Sequence, residues 1–149
     1  MCTLAVDPPG HPFGSLVAYA LDSDGSPLFL LSRMAEHTRN LTEDGRAALL
    51  VAEPAPDGAD PLAAGRVTLL GTVSAAEDGR ARERYLAANP SAAGYVDFGD
   101  FAFHRLDVQA VRYVGGYGRM SWVDAAAYAV AEPGPTARPC STTDARRRR

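Results

Sequence analysis

Short apolar runs alternate with turn-forming residues along most of this chain, a rhythm that predicts strands more than long helices. Residues 14–21 (GSLVAYAL) and 27–31 (PLFLL) flank the turn Asp22-Ser-Asp-Gly-Ser26, and two apolar runs around an Asp/Gly turn predict a β-hairpin. The period then changes. In residues 32–41, Met34, His37 and Leu41 recur at helical spacing, with Ser32 placed to cap the helix. Residues 47–52 (AALLVA) are continuously apolar between turns and predict a buried strand. After a proline-rich loop at 53–65, Gly65–Ala75 (GRVTLLGTVSA) predicts a long strand bent or bulged at Gly71. Residues 77–88 predict a helix stopped by Asn89-Pro90, and 91–96 a second short one. Residues 101–106 and 110–114 read as two further strands, and 120–129 as a closing strand or helix.

Five or six strands linked mostly by hairpins, with short helices inserted, predict a mainly β antiparallel barrel instead of βαβ units. Residues 1–130 form the expected domain. Residues 131–149, rich in Pro, Ser, Thr and Arg, form the expected disordered tail.

Charge narrows the function classes. The chain carries 15 basic and 18 acidic residues, but Arg146 to Arg149 are all basic, so the body holds 11 against 18. An acidic body argues against nucleic acid as a partner. The two cysteines, Cys2 and Cys140, have no metal-ligand spacing, and no apolar run is long enough to cross a bilayer. A cytoplasmic protein is expected, without membrane or nucleic-acid partners.

Candidate chemistry concentrates at residues 32–40. They follow a strand, open a helix, and supply a hydroxyl, an imidazole and an amide from Ser32, His37, Thr38 and Asn40. A helix start with free N–H groups suits a phosphate, although the same residues could simply cap an ordinary helix. Arg66 opens a strand, where it either pairs with an anion or lies on the surface. His104 alternates with apolar neighbours, the pattern of a half-exposed strand histidine. Tyr117 and Trp122 offer rings for stacking or for core packing. Asp97-Phe98-Gly99 spells a kinase motif, but the accompanying glycine-rich and catalytic loops are missing.

In chain order, His11-Pro-Phe-Gly-Ser15, Asp24-Gly-Ser-Pro27, Ser32-Arg-Met-Ala-Glu-His-Thr-Arg-Asn-Leu41, Asp60-Pro-Leu62, Gly65-Arg-Val-Thr-Leu-Leu-Gly71, Asp97-Phe-Gly-Asp-Phe101 and Val114-Gly-Gly-Tyr-Gly-Arg-Met-Ser-Trp-Val123 form a set. That set resembles the FMN-binding split-barrel superfamily of pyridoxamine-phosphate-oxidase type, in its haem-utilisation (HugZ-like) branch. The resemblance implies an antiparallel split β-barrel homodimer with FMN between the subunits, and flavin oxidoreductase chemistry if the chain is an enzyme. By position, Ser15, Val17 and Tyr19 would line the flavin ring, and Leu31 and Ser32 would hydrogen-bond it. His37, Thr38 and Asn40 would hold the phosphate, and Arg66 and Thr68 would face the cofactor from the partner chain. His37 stands where such oxidases carry a lysine, and Glu36 where they carry an arginine, which weakens the phosphate site. Haem is the alternative cofactor, with His37 and His104 as candidate ligands, although no histidine follows His104. A non-catalytic dimer that has lost its cofactor is the third reading.

Overall fold

The computed structural model describes residues 1–76, 79–116 and 118–131. Eight strands build one open antiparallel sheet: β1 (Cys2–Leu4), β2 (Pro12–Gly14), β3 (Ala20–Leu21), β4 (Pro27–Ser32), β5 (Arg46–Ala52), β6 (Gly65–Ala75), β7 (Phe101–Gly115) and β8 (Met120–Asp124). Three short helices, α1 (Glu36–Glu43), α2 (Ala81–Ala88) and α3 (Ala125–Ala129), complete it. The spatial order is β2-β1-β5-β6-β7-β4-β3, with β8 also on β7. This is the mainly β split-barrel architecture that the sequence predicts.

Strand β7 organises the sheet. Phe101–Arg105 of β7 pair with β4, 110–114 pair with β8, and nearly the whole strand pairs with β6. The sequence predicts two strands here, broken at the polar stretch Asp107 to Gln109. The structure has one strand of 15 residues. Its polar residues bond across to β6: Ser74 Oγ donates to Asp107 at 3.0 Å, and Gln109 Nε2 donates to Thr72 Oγ1 at 3.2 Å. The bend expected at Gly71 is a β-bulge. Leu70 faces Ala110 while Gly71 faces Val108, leaving Gln109 as the additional residue. Inward positions on β7 therefore change parity, from Leu106 and Val108 on one side of the bulge to Val111 on the other.

Two cores share β4, which is buried on both faces and so reads as an unbroken apolar run. Leu28 and Leu30 pack on Ala81 and Tyr85 of α2. Phe29 and Leu31 join Leu49, Leu69, Leu106 and Val111 inside the barrel. Each such buried side chain contributes about 1.5–3 kcal/mol.

Four local expectations are corrected. Residues 15–19 form no strand, because they cross between β2 and β3, which lie at opposite edges of the sheet. Strand β5 is not buried throughout: Leu49 points inward, while Leu50 is 59% exposed on the outer face. Helix α1 begins at Glu36 with Ala35 as its N-cap, since Ser32 still belongs to β4. The second short helix is a 3₁₀ helix over Pro90–Gly94 and ends before Tyr95 and Val96. The N-terminal hairpin β1–β2 escapes the sequence reading, because three-residue strands carry no readable period. Tyr117, Glu77, Asp78 and the predicted tail from Glu132 lie outside the described residues.

Candidate functional site

A cleft of about 370 Å³ opens where segment 15–19 passes the end of β4 and the start of α1. Leu16, Val17 and Ala18 form one wall, and Leu30, Leu31, Ser32 and Ala35 the floor. Tyr85, Tyr95 and Phe101 supply the aromatic side, with Tyr95 and Phe101 centred 5.1 Å apart. Leu16 is fully exposed at the rim. The main-chain amides of Leu16, Val17 and Ala18 make no hydrogen bond among the described residues.

His37, in the first turn of α1, is the basic group of this cleft. Burial lowers its pKa, and the Met1 ammonium and His104 lower it further, so the imidazole is neutral near pH 7. Among the described residues no arginine lines the cleft, and the chain contains no lysine.

The structure thus brings Val17, Leu31, Ser32 and His37 together in this cleft; Ser15, Tyr19, Thr38 and Asn40 lie outside its lining, and Arg66 and Thr68, which the resemblance would have act from a partner chain, lie on another part of this one. Ser15 exchanges backbone bonds with Met1 at 2.8 Å, and Tyr19 packs against the barrel core. Asn40 is fully buried, donating to Thr3 Oγ1 and accepting from the Val6 amide. Thr38 is buried against a separate recess of about 170 Å³ that also holds Thr42 and His104. Arg66 lies at the opposite end of β7 from Phe101, where its guanidinium donates to the Leu62 carbonyl at 3.1 Å. Thr68 sits beside it on the outer face of the sheet.

Ser32 reaches the cleft with its hydroxyl already engaged. Oγ donates to Asp100 at 2.5 Å and accepts the Met34 amide at 3.1 Å. His104 is lowered in pKa by burial, partly offset by its bond to the Ala102 carbonyl. That bond, Nδ1 to Ala102 O at 3.1 Å, leaves Nε2 bare in the neutral ring.

The sequence reading missed Tyr85, Tyr95 and Phe101. Their signal was present, because Tyr95 and Phe101 flank the dismissed Asp97-Phe98-Gly99 and Asp100. A second groove, of about 330 Å³, lies between β1 and β5 around Cys2, Pro12, Arg46 and Gln109. It has neither imidazole nor aromatic wall and offers a flat ligand little to stack on.

Comparison with known proteins identifies relatives. A family model described as "CREG, beta-barrel" matches residues 1–130. The non-canonical heme oxygenase HOZ, chloroplastic, of Arabidopsis thaliana is 42% identical over 110 residues, which are 72% of this chain and 33% of that protein. The heme binding protein from Mycobacterium smegmatis superposes with a TM-score of 0.81 at 43% identity, over 88% of this chain and 54% of that one. Campylobacter jejuni ChuZ shares the fold, with a TM-score of 0.72 at 16% identity over 85% of this chain and 53% of that one. The chain spans about a third of the length of the Arabidopsis relative and about half of the mycobacterial one. With the family model running from the first residue to the helix that closes the sheet, the chain belongs to the CREG β-barrel family, within the FMN-binding split-barrel superfamily.

Proposed function

We propose that this chain binds haem in the cleft between segment 15–19 and α1, with His37 as the iron ligand. One observation carries the reading: an apolar, aromatic-walled cleft whose one basic group is a neutral imidazole. That donor set fits an iron porphyrin, which asks for apolar faces and a nitrogen lone pair. It fits FMN poorly, because a phosphate dianion would meet no arginine among the described residues of the cleft, and Glu36 opens the adjoining helix. The haem-related names of the relatives at 42% and 43% identity support the same choice, so flavin takes second place. When bound, haem supplies an iron able to bind oxygen and change its oxidation state. The chain holds it at His37, stacks it against Tyr95 and Phe101, and excludes water with the Leu16–Ala18 wall.

A volume of about 370 Å³ is at the low end for a small-molecule site, so a porphyrin needs a further wall. We propose that a second copy of the chain provides it. The outer face of the sheet supports this. There, Leu50, Thr68, Arg112 and Trp122 form one cross-strand row, flanked by Arg66 and Met120. Trp122 is 63% exposed and Met120 57% exposed, and Arg112 lies 5.4 Å above the indole ring.

The test is a hemin titration of the purified chain. A saturable Soret band that weakens strongly in His37→Ala supports the reading, and an equal band in the variant rejects it. Loss of the band on adding reductant in air, compared with an anaerobic control, then decides whether the haem is degraded or only held.

A further inference from the structure

Helix α1 starts without a side-chain cap. Its N-cap is Ala35, which makes no side-chain hydrogen bond, whereas a serine, threonine or aspartate there would satisfy a free amide and fix the entry angle. The four-residue link from Ser32 to Ala35 is fixed from outside instead. Ser32 Oγ donates to the Asp100 carboxylate at 2.5 Å and accepts the Met34 amide at 3.1 Å. The Arg33 amide donates to the Asp100 carbonyl at 2.8 Å, and the Arg33 guanidinium to the Gly99 carbonyl at 2.9 Å. The two strand ends are in register, with Ser32 opposite Phe101. The turn ending at Asp100 therefore clamps the link that carries His37 into the cleft.

We infer that Asp100 is a positioning residue for the candidate site: through Ser32 it sets where the first turn of α1 holds His37. This rests on the haem reading only for its consequence, since the placement of His37 can be measured without ligand. The charge-assisted bond is the strongest in the clamp, because a hydroxyl giving its proton to a carboxylate at this distance exceeds a neutral pair. It also explains why Ser32 lines the cleft without being free to donate to an occupant. Supports one step behind a ligand typically alter affinity by about 10–100-fold when removed, and an indirect support falls at the low end.

The experiment compares the full chain with Asp100→Ala, Ser32→Ala, the double variant and Asp100→Asn, each checked for a cooperative thermal transition. In ligand-free protein at fixed pH, the His37 ring resonances should move in Asp100→Ala and Ser32→Ala and return in Asp100→Asn, which still accepts the serine proton. In hemin titrations, either single loss should weaken binding by about tenfold and shift the Soret maximum, with the double variant no weaker than either. Unmoved His37 resonances, additive losses, or an Asp100→Asn variant as impaired as Asp100→Ala would each overturn the inference. Should the wild-type chain bind no hemin, the haem reading fails, and the ring resonances still decide the role of Asp100.

Discussion

Asn40 donates from Nδ2 to Thr3 Oγ1 over 3.0 Å and thereby bolts α1 to β1. Its Oδ1 accepts the Val6 amide at the same distance, and the whole side chain is buried. An amide so committed holds the helix in place. Buried in this way, it is not among the residues that line the cleft. Asn40→Ala should therefore cost about 2 kcal/mol in urea unfolding, because it strands the Thr3 hydroxyl and the Val6 amide. Hemin affinity of the folded fraction should stay within about twofold of wild type at a fixed ligand range. A variant with unchanged stability and weakened ligand binding would restore Asn40 to the ligand site.

Gly71 marks the bulge opposite Gln109, and a side-chain carbon there would collide with the Asp107 carbonyl oxygen. Backbone cannot yield as a flexible side chain does, so Gly71→Ala should destabilise by up to about 3 kcal/mol. The inward parity of β7 depends on this bulge, and the variant should also lose thermal cooperativity. Gly79→Ala is the control, since no described residue lies within 4 Å of a carbon added there. Equal stability of the two variants would show that the strands accommodate the side chain.

The elements most legible in the sequence were those whose burial matches a simple period. Pro27–Ser32 is apolar on both faces because it is covered on both faces, and Gly71 announced a bulge through a glycine amid β-branched neighbours. The errors share a cause in tertiary context. Asp107 and Gln109 looked like a break because the bulge shifts alternation by one residue, which no local window can detect. Segment 15–19 has the composition of a strand, yet its neighbours in space are decided by β2 and β3 at opposite sheet edges. At the site, His37 was legible as chemistry, whereas Tyr85 and Tyr95 are brought to it from α2 and the following turn across more than 45 residues. The inward turn of Asn40 and Thr38 is set by helix phase, which is invisible in a list of polar side chains.

The outer face of the sheet gives the proposed dimer a direct test. Leu50 is 59% exposed at one end of the row whose other end is Trp122, while its neighbour Leu49 is buried. Leu50→Glu places a charge on that face without touching the core, and should convert a dimer to a monomer in sedimentation equilibrium. Wild-type stability of the isolated fold should change by less than about 0.5 kcal/mol, as for other surface replacements. A wild-type chain that sediments as a monomer, or a variant that remains dimeric, would exclude this face as the contact.

The absence of arginine among the described residues of the cleft lining predicts how flavins behave. Phosphate recognition by charge-assisted bonds would favour FMN over riboflavin by a large factor. Here the two should bind with affinities within about threefold of each other, less than about 0.7 kcal/mol apart. Fluorescence quenching measures both. An FMN preference above about thirtyfold would reveal a phosphate site, and Arg66→Ala would then show whether a second chain supplies it.

Acid should loosen the hairpin turn between β3 and β4. Arg105 reaches from β7 to Asp24 at 2.8 Å and to Asp22 at 3.2 Å, and Arg84 meets Asp22 from α2. Burial opposes ionisation of Asp24, but the Ser26 amide and hydroxyl, together with the Arg105 charge, outweigh it and hold the carboxyl below its usual range. A carboxyl depressed in the folded state stabilises fully above its unfolded value of about 3.9 and loses that contribution as pH falls through the folded value. Wild type should therefore melt above Asp24→Asn near neutral pH, with the gap closing from about pH 5 down to about pH 2. Because Asp24 is 42% exposed, salt should narrow the gap at neutral pH as well. Melting curves across that range decide it: a gap that holds constant or widens in acid would mean that Arg105 keeps the turn in place without help from this charge.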